Sequence, residues 1–146
     1  MIKRSSLVVN TGVLSTRPVY SSRAPKPIGP YSQAVLVDGW LLVSGQIPVD
    51  PATGEVVRGD FRSQVTRVLE NIKAIVEDAG GTLRDVVKVT VYLRDLSRVG
   101  EFNEVYAKYF GESQPARSLV GVSDLPRGVD IEVEVIARLK SGSGGE

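Results

Sequence analysis

Glu132 and Glu134 stand two residues apart in the stretch Ile131 to Leu139, where they alternate with Ile131, Val133, Val135 and Ala137. In an extended chain that spacing sends both carboxylates to one face and the aliphatic side chains to the other. If the acidic face lines a cleft, partial loss of water raises a Glu pKa and makes it a proton donor or acceptor near neutral pH; if it meets bulk water, the pattern is only an amphipathic strand. Arg117 lies in Gln114-Pro115-Ala116-Arg117-Ser118, where Pro115 blocks helix continuation and the chain enters a strand. A guanidinium at such a mouth presents a planar fork to a carboxylate or phosphate, although an Arg at a strand start also serves as an ordinary surface ion pair. Tyr31 follows the turn residues Gly29-Pro30, and Gly45 interrupts a strand-like run at Ser44-Gly45-Gln46. The phenol is a ligand contact or a packing anchor, and the glycine marks either a close approach of a ligand or a β-bulge.

The chemistry open to these residues is bounded by what the chain lacks. Its 146 residues include no His and no Cys. That excludes disulfides, thiol nucleophiles, Ser-His-Asp and Cys-His triads, HExxH zinc sites and most transition-metal ligation. No P-loop, GxGxxG or GxSxG motif occurs. Catalysis is left to Arg, Lys, Glu, Asp, Tyr, Ser, backbone groups and water.

The elements that must position these groups follow from periodicity. Residues 33–37 and 40–47 are short β-type runs separated by Asp38-Gly39, a dipeptide suited to a tight primed turn, so they pair antiparallel. A helix starts after Asp60 as N-cap, carries Val65, Val68, Leu69, Ile72, Ile75, Val76 and Ala79 as one apolar stripe, and stops at Gly80-Gly81. Val87, Val89, Val91 and Leu93 alternate with Lys88, Thr90 and Tyr92 as a strand with unlike faces. A second helix, about Arg98 to Phe110, has Ser97 as its expected cap. Strands at 117–122 and 131–139 are joined through a turn at Leu125-Pro126-Arg127-Gly128. The order is ββ-α-β-α-ββ, and it predicts a single α+β domain with two helices on one face of a five-stranded sheet. The uncovered face needs water or a partner, which points to oligomerisation.

Charge is unevenly distributed. No acid precedes Asp38, and five of the eighteen bases (Lys3, Arg4, Arg17, Arg23, Lys26) lie before it, leaving thirteen against seventeen acids and a net of −4 on the remainder. A body of that sign is a poor grip for a nucleic-acid backbone. No run of apolar residues is long enough for a membrane helix. Residues 1–23 read as a flexible, Ser-bearing and acid-free extension, 24–140 as the domain, and 141–146 as a flexible tail. The expected compartment is the cytoplasm, or a mitochondrion or plastid if the extension is a transit peptide.

Taken in order, Gly29-Pro30-Tyr31-Ser32-Gln33, Val43-Ser44-Gly45-Gln46-Ile47-Pro48, Pro115-Ala116-Arg117-Ser118 and Ile131-Glu132-Val133-Glu134 resemble the RidA family, also called YjgF/YER057c/UK114, over about residues 24–140. The resemblance implies a chorismate-mutase-like α+β fold with a mixed sheet, assembled as a homotrimer with clefts between neighbouring subunits. It implies hydrolysis of reactive 2-imino acids, such as 2-iminobutanoate and 2-iminopropanoate, to 2-oxo acids and ammonia, without cofactor or metal. Carried across, Arg117 grips the substrate carboxylate and Glu132 orients water or moves protons. Tyr31, Ser44, Gly45 and Asn103 line the site. Leu119 stands where many members have Cys, so a thiol role is lost while the backbone carbonyl thought to hold the water is kept. The family's older label supplies a rival, a translation-inhibiting endoribonuclease, and a non-catalytic ligand-binding or chaperone-like trimer is a third reading.

Overall fold

The computed structural model describes residues 15–140. Eight principal elements follow one another: β1 (Thr16–Val19), β2 (Ala34–Val37), β3 (Trp40–Gln46), α1 (Phe61–Asp78), β4 (Val86–Leu93), α2 (Val99–Phe110), β5 (Ala116–Gly121) and β6 (Ile131–Arg138). The strands form one sheet in the order β1-β2-β3-β6-β4-β5. Every neighbouring pair is antiparallel except β4 and β5, which run parallel and are joined by α2, the crossover that parallel neighbours require. The architecture is therefore a single-domain α+β fold with a mixed sheet and two helices. No helix among the described residues is long and apolar enough to cross a membrane.

Local chemistry explains most boundaries. Asp38 and Gly39 both take positive φ, 52° and 82°, the primed turn that matches strand twist. Asp60 caps α1 by accepting from the backbone N–H of Ser63 at 2.8 Å. At the other end Gly80 takes φ 102°, and the Gly81 N–H reaches back to the Val76 carbonyl at 3.0 Å. The stripe on α1 and the inward residues Ile131, Val133, Val135 and Ala137 of β6 share one buried cluster with Phe102, Val105 and Phe110 of α2. Strand β6 runs through the middle of the sheet, so its alternation is strict: core on one side, Glu132, Glu134, Ile136 and Arg138 on the other.

Four expectations need correction. The sheet has six strands, because Thr16–Val19 pairs antiparallel with β2. Residues 16–23, read as part of a loose extension, instead close an edge whose backbone groups would otherwise lack partners. Arg23 then pairs with Asp78 at 3.0 Å, and the buried Gln33 side chain accepts from the Ser21 N–H and donates to the Ser21 and Pro25 carbonyls. Residues 1–14 and the expected tail at 141–146 lie outside the described residues. Val87 is 43% exposed rather than core-facing. The register jumps between Val86 and Lys88 opposite Ala137 and Ile136, a bulge that leaves Val86 to face inward. Ser97 does not cap α2: its N–H donates to Asp95 at 3.0 Å, closing a short 3-10 turn that runs directly into the helix, whose own first turn has no side-chain cap.

Candidate functional site

The candidate residues gather into two groups on opposite faces of the sheet. The first is built on β3 and β6. Between Val43 and Gln46 the register with β6 shifts, so Ser44 and Gly45 form a bulge. Gly45 leaves room there for the Glu132 carboxylate: a Cβ would run into it, with Cδ 3.0 Å from that point, and would turn the side chain aside. The Ser44 hydroxyl donates to the Ser32 carbonyl at 2.6 Å, tying the turn that carries Tyr31 to β3. Tyr31 accepts from the Ile28 N–H at 3.4 Å and stays 49% exposed. Tyr31, Ser44, Gly45 and Glu132 then line one cleft of about 420 Å³, completed by Ile28, Ile47 and Pro126.

Burial pushes the Glu132 carboxyl above its ordinary range, and the neighbouring Glu134 charge pushes the same way. Tyr92, opposite Glu132 in the ladder, is raised by burial first and by both carboxylates after that. This half of the site thus holds a carboxyl that keeps its proton to higher pH than a solvated Glu would. Such a group is suited to moving protons.

The second group is built on β5 and α2. Arg117 lies opposite Val89, a fully buried core residue on the neighbouring parallel strand, so its side chain leaves on the helix face. There its Nη1 donates to Asn103 Oδ1 at 2.9 Å. The guanidinium carbon lies 4.9 Å from the Tyr106 ring centre and 5.4 Å from that of Phe102. Arg117 makes no ion pair among the described residues. It is a cation seated by an amide and two π faces, with no carboxylate among the described residues to neutralise it. Leu119, two residues along β5, is half-buried against the core.

One chain does not bring Arg117 and Glu132 together: β4 lies between their strands, and the two side chains leave from opposite faces. Sequence reasoning missed Phe102 and Tyr106 as the seat of Arg117. Their position on either side of Asn103 in α2 was the available signal, but periodicity read them only as core. It also missed Ile28, Ile47 and Pro126, which are loop residues without a periodic mark.

The family described as Endoribonuclease L-PSP matches residues 21–139. A RutC family protein of Pyrococcus abyssi is 60% identical over 119 residues, covering 82% of this chain and 94% of that protein. The chain belongs to the YjgF/RidA/RutC family. Solved YjgF/RidA/RutC structures agree in fold. Yeast Mmf1 superposes with a TM-score of 0.83 at 42% identity, covering 86% of this chain and 100% of that one. Escherichia coli TdcF with bound serine gives 0.81 at 42% identity, covering 85% and 99%.

Proposed function

We propose that the protein hydrolyses small 2-imino acids to 2-oxo acids and ammonia, at sites shared between neighbouring copies of a homotrimer. The observation that carries this reading is Arg117, held in place by Asn103 and two rings yet left without an acid partner among the described residues. Such a fork is preorganised for a carboxylate, which it meets with two charge-assisted bonds. The serine held by E. coli TdcF is a small molecule bearing the same carboxylate next to a nitrogen-bearing carbon.

In this reading Arg117 of one subunit and Glu132 of the next face a common cleft. The substrate carboxylate binds the guanidinium, and the C=N carbon lies toward Gly45 and Glu132. A protonated imine is already electrophilic, so neither a covalent nucleophile nor a metal is needed. Water adds to the imine carbon as its O–H proton passes to the Glu132 carboxylate. The carbinolamine then takes that proton on nitrogen, the C–N bond breaks, and ammonia leaves as the second hydroxyl proton is lost and the ketone forms. Fixing the acid and a water in attack geometry supplies part of the roughly 7–11 kcal/mol that positioning can contribute. A raised Glu132 pKa suits the carboxyl to exchange protons in both steps.

The test is ammonia release from dehydratase-generated 2-iminobutanoate in competition with semicarbazide. Arg117→Ala is expected to lose at least about a hundredfold in kcat/KM, the scale of two charge-assisted hydrogen bonds. Unchanged kinetics in that variant reject the reading.

A further inference from the structure

The cleft at Glu132 does not end at Tyr31. A second hollow of about 350 Å³ shares Ile28, Tyr31, Gly45 and Ile47 with it and continues beneath the loop after β3. The loop is fixed rather than loose: Val49 bridges to Val56, the Gly54 N–H donates to the Asp50 carbonyl at 2.8 Å, and buried Asn71 of α1 donates to the Val49 carbonyl at 3.0 Å. Its walls mix apolar side chains, Pro27, Val49, Pro51 and Ala52 among them, with the polar Gln33, Gln46 and Thr53. Two cations, Lys26 and Arg127, also line it, and no acid does.

Neither cation is neutralised from within. Lys26 makes no hydrogen bond or ion pair among the described residues, and its side chain is exposed. Arg127 sits in the left-handed region at φ 59°, ψ 18°, between the accepting Gly54 carbonyl, 3.4 Å from its Nη1, and the donating Arg58, whose Nη2 is 3.4 Å from the Arg127 carbonyl. Its guanidinium is thereby carried across from the Pro126–Gly128 turn to the loop that roofs the hollow. A hollow with apolar flanks and two cations that no acid of its lining faces is complementary to an alkyl run tipped with an anion.

We propose that this hollow is a specificity subsite that takes the distal end of a 2-imino or 2-oxo acid whose side chain is a short alkyl run ending in a carboxylate. The assignment of the reacting end rests on the reading above; the distal end rests on Lys26, Arg127 and the hollow alone. A dicarboxylate would then be held at Arg117 by one carboxylate and at Lys26 and Arg127 by the other, with its methylenes against Pro27 and Ile47.

The experiment is calorimetric titration of the full chain with 2-oxoadipate and, as the short comparator, 2-oxobutanoate. The wild type is expected to bind the dicarboxylate at least about tenfold more tightly, and Lys26→Gln with Arg127→Gln together is expected to erase that ratio. Lys26→Gln alone, on an exposed side chain, is expected to reduce it partway and keeps the test decisive should the double variant unfold. Absence of a preference in the wild type, or a preference that survives both changes, overturns the proposal. Arg117→Ala separates the two readings: it is expected to weaken both ligands by the same factor. If it weakens neither while the Lys26 and Arg127 changes still act on 2-oxoadipate, the reacting end is misassigned and the distal subsite stands.

Discussion

The Arg117 group and the Glu132 group solve opposite electrostatic problems. Arg117 leaves an edge strand into partial exposure and is steadied by neutral partners, Asn103 and two aromatic faces, so its charge is kept and directed. Glu132 leaves the central strand beside a glycine bulge, where lost hydration and a like-charged neighbour make its charge costly. In the proposed reaction the first group holds an anion and the second trades a proton. Within one chain the sheet that joins them also keeps them on separate faces.

The largest effect expected from this contrast comes from mixing. On the proposed trimeric arrangement and reaction, the Arg117→Ala and Glu132→Gln proteins should each be inactive in imine hydrolysis. Unfolded together and refolded, they should recover about one quarter of wild-type activity, because a random assembly pairs an intact Arg with an intact Glu at that share of its seams. A mixture that stays inactive would break the idea that the halves meet between subunits.

Next in size is Gly45→Ala. The added methyl meets the Glu132 carboxylate and must turn it out of the cleft, so kcat should fall by about tenfold to a hundredfold while the protein still folds. Full activity in this variant would show that the carboxylate need not lie against the bulge.

A smaller effect concerns pH and stability. The folded state raises the Glu132 pKa, so folded protein binds more protons than unfolded chain around the carboxylate range. The stability that this residue contributes is therefore fully present below the ordinary Glu pKa and is lost as pH rises through the raised value. Glu132→Gln should melt about 2 °C higher than wild type at pH 8, with the gap closing at pH 4. A gap that widens in acid contradicts the burial argument.

Smallest is Tyr106→Phe. The Tyr106 hydroxyl is buried and has no hydrogen-bond partner among the described residues, while the ring supports Arg117. Removing the oxygen and keeping the ring should leave the melting temperature unchanged or raise it slightly, with KM within about twofold of wild type. Tyr106→Leu, which removes the π face, should raise KM more than it lowers kcat.

Much of this molecule was legible in its sequence where the signal is local. The Asp38-Gly39 turn, the Asp60 cap, the Gly80-Gly81 stop and the alternation of β6 each depend on neighbours a few residues away, and each is found as expected. Strand β1 was invisible because only Val19 of its four residues turns inward and Pro18 weakens any strand signal; its reason to exist is the open edge of β2, a long-range fact. The Val87 bulge escaped for the same reason, since register is set by the partner strand. The candidate site residues were named by resemblance, and the chemistry proposed for them was partly readable from type. Their division between two faces was not, because it depends on β4 entering between β5 and β6.

Among the described residues strand β5 has a single neighbour, so the backbone on its outer side has no ladder there to hold it. The rung that bears Arg117 is therefore among the first to fray, and its amide protons should exchange with heavy water well ahead of those of β6. In the proposed reaction, grip on an incoming anion is thus carried by an edge of the sheet, and whatever seals that border would slow its breathing and firm the grip together.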